Sequence, residues 1–165
     1  MHGCTRFTSL DIKSAYWQIQ IHPDDRNKTA FVVPGHGIHR YKRMAFGLQN
    51  APATFQFLIE KVLPVAKGGK LDTENCCFAY LDDILIPSKT VDENLDYLEI
   101  VLQALIKNNF KLHPKKCKFL ATELEYLGHV ISASGIGTSP AKTQKIRDWP
   151  RLHSQKDVRA FLGIC

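Results

Sequence analysis

The run Cys76-Cys77-Phe78-Ala79-Tyr80-Leu81-Asp82-Asp83-Ile84-Leu85-Ile86 decides the fold, because two short apolar segments flank a pair of adjacent acids. It is predicted to be a tight hairpin with Asp82-Asp83 at its turn. Two like charges between apolar strands repel each other and lose hydration, which raises at least one carboxyl pKa unless a cation compensates. A solvated Asp-Asp turn is common, so the dipeptide alone says little. Asp11 adds weight. Phe7 to Ile12 reads as a strand in which Thr8, Leu10 and Ile12 point one way and Phe7, Ser9 and Asp11 the other. If that strand lies beside the hairpin, Asp11 and Asp82 share a site. Three converging carboxylates suit hard divalent cations, Mg2+ above all. Two such ions about 4 Å apart can activate a hydroxyl and stabilise a leaving pyrophosphate, which is phosphoryl-transfer chemistry.

Outward from this hairpin, the pattern alternates strands and helices. Gln18 to Ile21 alternates and stops at His22-Pro23, and Thr29 to Val33 with Ile38 to Met44 reads as a hairpin around Pro34-Gly35-His36-Gly37. Asn50 caps a helix carrying the stripe Phe55, Leu58, Ile59, Val62 and Leu63, which Pro64 ends. Val65 to Asn75 is a loop. Thr90-x-x-Glu93 is a capping box opening a second amphipathic helix, with Val91, Leu95, Leu98, Leu102 and Leu105 predicted on its buried side and Asn108-Asn109 closing it. Phe110 to Leu112, Lys118 to Leu120 and Leu124 to Ile131 read as strands, and Ser132 to Gly137 as a turn. Helices are predicted after Ser139-Pro140 and after Ser154. The order predicts an α+β fold, an antiparallel sheet with both central helices packed on one face.

Composition narrows the class. The 165 residues are 44% hydrophobic and 23% charged, with a net charge of +6, which is ordinary for a globular chain and argues against disorder. No apolar stretch approaches the roughly 20 residues that span a bilayer, and the opening MHGCTRFTSLD has no signal-like apolar core. No membrane partner is expected. The five cysteines form no C-x-x-C pair, so neither a disulfide framework nor a zinc ribbon is indicated. Residues 1–100 carry 11 Lys+Arg against 12 acids, whereas residues 101–165 carry 11 against 4. A basic half joined to a carboxylate-bearing half suits an enzyme that grips a polyanion and binds cations.

FTSLDIKSAYWQI, MAFGLQNAPATFQ, FAYLDDIL, FKLHPKKCKF and YLGHVIS follow one another in this chain. Their order and spacing resemble the palm motifs of reverse transcriptases of gypsy-type LTR retrotransposons, and more distantly those of retroviruses. The resemblance implies a reverse-transcriptase palm over residues 1–131, including a partial fingers hairpin at about 22–45, followed by the start of a thumb or connection over 132–165. It implies an RNA-directed DNA polymerase that joins dNTPs to a primer 3′-hydroxyl on an RNA or DNA template. Asp11, Asp82 and Asp83, with the backbone carbonyl of Ile12, would hold two Mg2+ ions, with Mn2+ as a possible substitute. Tyr16 matches the aromatic that excludes a ribose 2′-hydroxyl, and Phe46 and Gly47 match residues at the incoming nucleotide. Lys116, with Lys115 as the alternate, matches the lysine that protonates pyrophosphate. Tyr80, in the acid motif, is expected with Gly128 and His129 at the primer and template, the last two matching the hairpin that holds the primer end. Two departures stand out: Ala45 replaces a usual proline, and Val91-Asp92-Glu93-Asn94 stands where paired histidines are usual. The early fingers, RNase H and other Pol domains are expected in a longer polyprotein, and the setting to be intracellular and cytoplasmic. A catalytically incomplete remnant that only binds nucleic acid through its basic half is the alternative reading, and a structural α+β domain with incidental acids is a third.

Overall fold

The computed structural model describes residues 3–66 and 71–163. Its elements in chain order are β1 (Arg6–Asp11), β2 (Phe31–Val33), β3 (Gly37–His39), α1 (Ala51–Val62), β4 (Phe78–Tyr80), β5 (Asp83–Ser88), α2 (Val91–Lys107), β6 (Lys118–Ala121), β7 (Glu123–Tyr126), β8 (His129–Ser132), β9 (Gly135–Thr138), α3 (Pro140–Arg147) and α4 (Gln155–Leu162). Short 3-10 turns occupy Ala15–Gln18, Pro23–Thr29 and Pro114–Lys116. The centre of the loop read over residues 65–75, Lys67-Gly68-Gly69-Lys70, lies outside the described residues.

The main sheet has the order β4-β5-β1-β6 and is antiparallel throughout. Its β1 and β5 strands bury apolar residues on both sides because both sides are covered. Leu10, Ile12, Ile84 and Ile86 face α1 and α2 and pack with Phe55, Ile59, Tyr97, Val101 and Leu105. Phe7 and Leu85 face the opposite way, into a second core with Leu124, Tyr126 and Ile131. Each large side chain fully removed from water contributes roughly 1.5–3 kcal/mol. The layers are therefore helices, sheet, and the meander β7-β8-β9.

Both α1 and α2 pack on one face, as the element order predicts. Pro52 sits in the first turn of α1, and the helix ends before Pro64. Thr90 caps α2 by accepting from the Glu93 amide at 3.1 Å. The Glu93 carboxylate reaches one residue further back than a capping box requires, to the Lys89 N–H at 2.6 Å. The buried face of α2 differs from the predicted stripe. Asn94, Tyr97, Val101 and Leu105 are buried, whereas Val91 and Leu95 are 40% and 47% exposed. The cause is Asn94, a polar residue drawn inward by hydrogen bonds from its amide to the Ile86 carbonyl (2.9 Å) and from the Thr8 hydroxyl (2.6 Å). That turns the helix by about one residue.

Four local readings also change: Phe110–Leu112, read as a strand, makes only a single bridge, Leu112 to Ile12. The segment read as one strand over Leu124–Ile131 is two strands joined at Leu127-Gly128, which both have positive φ (50° and 76°). The glycine-rich turn read over Ser132–Gly137 contains β9, which earns strand geometry by pairing with β8. The alternating Gln18–Ile21 forms a 3-10 end and a single bridge, Gln20 to Arg43. The meander β7-β8-β9 runs continuously from Glu123 to Thr138. Cys4, Cys76, Cys77 and Cys117 are free thiols. Burial pushes the Cys76 thiol up to about 11. No helix among the described residues is long and apolar enough to cross a membrane.

Candidate active site

Strand pairing assembles the acids. Asp11 ends β1 directly opposite Asp83, the first residue of β5. Residues directly opposed in an antiparallel pair project to the same face with Cβ atoms roughly 5 Å apart. Asp82 lies in the two-residue turn Leu81-Asp82 that joins β4 to β5, and Tyr80 pairs with Asp83 across it. The Ile12 amide donates to the Asp82 carbonyl at 2.8 Å, so the chain at Asp11 and the chain at Asp82 touch. Leu81 has φ of 52°. A leucine in this left-handed region is strained by roughly 1–3 kcal/mol.

The electrostatics follow from this crowding. Burial raises the Asp83 carboxyl, and the negative charges of Asp82 and Asp11 raise it further against the opposing pull of Lys116. The Lys116 ammonium bonds Asp11 Oδ2 at 3.0 Å, and that hydrogen bond and charge hold the lysine above its ordinary pKa. Lys116 stands in the 3-10 turn after His113, whose own N–H donates to the Asp11 carbonyl at 2.9 Å. Lys115 is exposed beside it.

A cleft of about 400 Å³ opens between these elements, with Asp11, Asp82, Lys116, Tyr16 and Phe46 among its walls. The Tyr16 ring lies 5.1 Å from that of Phe46 and 5.6 Å, edge-on, from that of Phe55. Phe55 fixes Tyr16 from the core while Phe46 stays 65% exposed. Gly47 follows with φ of 90°, and a Cβ there would meet no atom within 4 Å. Its glycine is required by backbone conformation and not by crowding. Tyr80, Asp83, Gly47, Gly128 and His129 are not among the cleft walls. Gly128 and His129 lie at the β7–β8 turn, with His129 opposite Tyr126. The Tyr126 hydroxyl donates to the Asp83 carbonyl at 3.2 Å, joining the meander to the acid hairpin.

The donor chemistry fits a hard divalent cation: oxygen ligands only, with unbalanced negative charge at Asp83. Side-chain geometry is less complete. Among the described residues no group of three or more His, Cys, Asp or Glu is arranged to hold a metal ion, and Asp11 already has Lys116 as its counter-charge.

Sequence reasoning missed three contributors. Trp17 lines the cleft beside Phe46 (6.3 Å between rings). His113 also lines it, with a buried Nδ1 that has no hydrogen-bond partner. Gln56 bonds to the backbone on both sides of Tyr80. All three lie within the quoted motif stretches, and only the fold shows what each touches.

Comparison with known proteins agrees with this geometry. A family model described as reverse transcriptase (RNA-dependent DNA polymerase) matches residues 1–131. The chain is 38% identical over 162 residues to the retrovirus-related Pol polyprotein from transposon 297 of Drosophila melanogaster, covering 98% of this chain and 14% of that one. It is 35% identical over 158 residues to the Pol polyprotein from transposon gypsy of the same fly, covering 96% and 15%. To the transposon Tf2-3 polyprotein of Schizosaccharomyces pombe it is 36% identical over 163 residues, covering 99% and 12%. Among solved structures, the foamy viral protease-reverse transcriptase in complex with RNA/DNA hybrid superposes with a TM-score of 0.83 at 27% identity, covering 97% of this chain and 21% of that one. The dRH form of that protein with double-stranded DNA gives 0.87 at 26% identity, covering 99% and 27%. The chain thus spans a small part of the length of each relative.

Proposed function

The chain belongs to the reverse transcriptase family, and from that premise we propose that it is the polymerase core of a retrotransposon Pol polyprotein, an RNA-directed DNA polymerase that transfers nucleotides from dNTPs to a primer 3′-hydroxyl. In this reading residues 1–131 form the palm, with a fingers hairpin at about 22–45, and the chain from 132 onward begins the thumb or connection. The template is RNA or DNA, in keeping with the RNA/DNA hybrid and duplex DNA held by its structural neighbours. The supporting observation is the pairing of Asp11 opposite Asp83 with the Asp82 carbonyl on the Ile12 amide.

The family uses divalent metal ions. Here Asp11, Asp82, Asp83 and the Ile12 carbonyl would hold two Mg2+ ions, which Mn2+ could replace. Bound there, such ions would supply Lewis-acid charge to the reacting oxygens. The rest is done by the chain itself. Tyr16, backed by Phe55, presents a rigid ring where a ribose 2′-hydroxyl would collide. Phe46 and Gly47 offer a flat face and open backbone to the base and sugar. Lys116, kept protonated by Asp11, donates its proton to the departing pyrophosphate oxygen. Tyr80, Gly128 and His129 support the primer end.

Primer extension on an RNA template with Mg2+ and dNTPs tests the reading. Asp82→Asn and Asp83→Asn should each lower the rate by at least about a hundredfold, as expected when a charge serving the transition state is removed. Undiminished extension by both variants would refute the assignment.

A further inference from the structure

The edge strand β4 ends at the acid-bearing turn, and its edge away from β5 faces α1. On that edge the Ala79 carbonyl accepts from Gln56 Nε2 at 3.1 Å, and the Leu81 N–H donates to Gln56 Oε1 at 2.8 Å. One amide thus serves the carbonyl before Tyr80 and the N–H after it. That is the pattern by which a residue of a parallel strand pairs with its neighbour, supplied here by a side chain from a helix. An amide side chain offers a donor and an acceptor from one planar group, and Glu60 holds its orientation by accepting from the same Nε2 at 2.7 Å.

We propose that Gln56 is a positioning residue for the nucleotidyl transfer assigned above, on which this inference rests. Its amide locks the backbone on both sides of Tyr80. Leu81 then stays in the left-handed conformation that directs Asp82 toward Ile12 and sets Asp83 opposite Asp11. Without the amide, Leu81 is released to the extended backbone a leucine prefers, and the turn that carries Asp82 loses its fixed direction.

The test compares Gln56→Met, similar in length but unable to make either bond, with the pair Gln56→Glu plus Glu60→Gln. In that pair the introduced carboxylate still accepts from Leu81 and receives a donor from position 60. Gln103→Met, which removes an exposed amide–carboxylate bond on α2, is the control. Amide exchange by NMR should show the Leu81 N–H exchanging about tenfold faster in Gln56→Met, while the Leu85 N–H, in the core of the sheet, is unchanged. Single-nucleotide extension should fall about tenfold in kcat, the effect of losing hydrogen bonds of ordinary strength, with KM for dNTP within about twofold and the paired exchange recovering part of the rate, because it restores the Leu81 bond but not a donor from position 56 to the Ala79 carbonyl. An unchanged Leu81 exchange rate overturns the clamp. A released Leu81 with wild-type kcat overturns the positioning role. If the wild-type chain extends no primer, the functional reading falls by itself, and the exchange ratio still decides whether Gln56 holds the turn.

Discussion

Asn94→Ala should destabilise the fold by about 3 kcal/mol, and the structure says where that loss comes from. The side chain is fully buried between α2 and the sheet. It accepts from the Thr8 hydroxyl at 2.6 Å and donates to the Ile86 carbonyl at 2.9 Å. Thr8, also fully buried, in turn accepts from the Leu120 N–H at 3.1 Å. One short network therefore joins β1, β5, α2 and β6. Two net hydrogen bonds contribute about 1 kcal/mol each, and stranding the Thr8 hydroxyl and Ile86 carbonyl in an apolar layer adds at least about 1 kcal/mol more. Thr8→Val, which keeps shape but removes the shared hydroxyl, should cost about 2 kcal/mol. The double variant should cost less than the sum by about 1–2 kcal/mol, because the direct Thr8–Asn94 bond is lost only once. Urea unfolding of the four proteins, with slopes checked for constancy, measures these values. A cost below about 1 kcal/mol for Asn94→Ala, or strict additivity in the cycle, would refute the network as a source of stability.

Two further outcomes follow from α2. The Glu93 carboxyl is held below its ordinary range, chiefly by the Lys89 N–H and also by the Tyr97 hydroxyl. A lowered folded pKa gives stability that is present above the ordinary carboxylate range and lost as pH falls through the depressed value. Glu93→Gln should therefore cost about 1 kcal/mol at neutral pH, the scale of a lost cap in a partly solvated site. The two proteins should converge in acid, and equal urea midpoints at neutral pH would contradict this. Leu95→Lys should change stability by less than about 0.5 kcal/mol because Leu95 is exposed, whereas Val101→Ala should cost about 2 kcal/mol. The reverse ranking in thermal unfolding would show that the buried face of α2 is the other one.

What the sequence reveals depends on how local each cause is. The Asp82 hairpin, the Thr90 helix start and the Pro52–Pro64 limits of α1 are written in adjacent residues, and they can be read directly. The rotation of α2 cannot, because hydropathy places Asn94 outside and its partners lie 86 and 8 residues away. The β7–β8 turn is marked only by Gly128, since Leu127 is apolar yet left-handed. A strand such as β9, with two glycines in four residues, is made by its neighbour and not by its own preferences. The Asp11–Lys116 pair joins residues 105 apart, and no pattern in the residues announces it. Motif resemblance singles out the acids, whereas geometry supplies what orients them.

The rings beside the cleft have an optical consequence. Phe110, Phe55, Tyr16, Phe46, Trp17, Tyr41, Phe31 and His39 touch in succession, each pair with centroids 5.1–6.3 Å apart. This file of rings runs from the interior, past the acids, to the β2–β3 hairpin, and Trp17 sits midway along it. The other tryptophan, Trp149, packs on Phe161 near the C-terminal helix. Replacing Trp149 with phenylalanine leaves a single indole whose emission senses both the occupant of the cleft and the tilt of the hairpin. The fold has thus installed its own fluorophore at the junction where substrate entry would be watched.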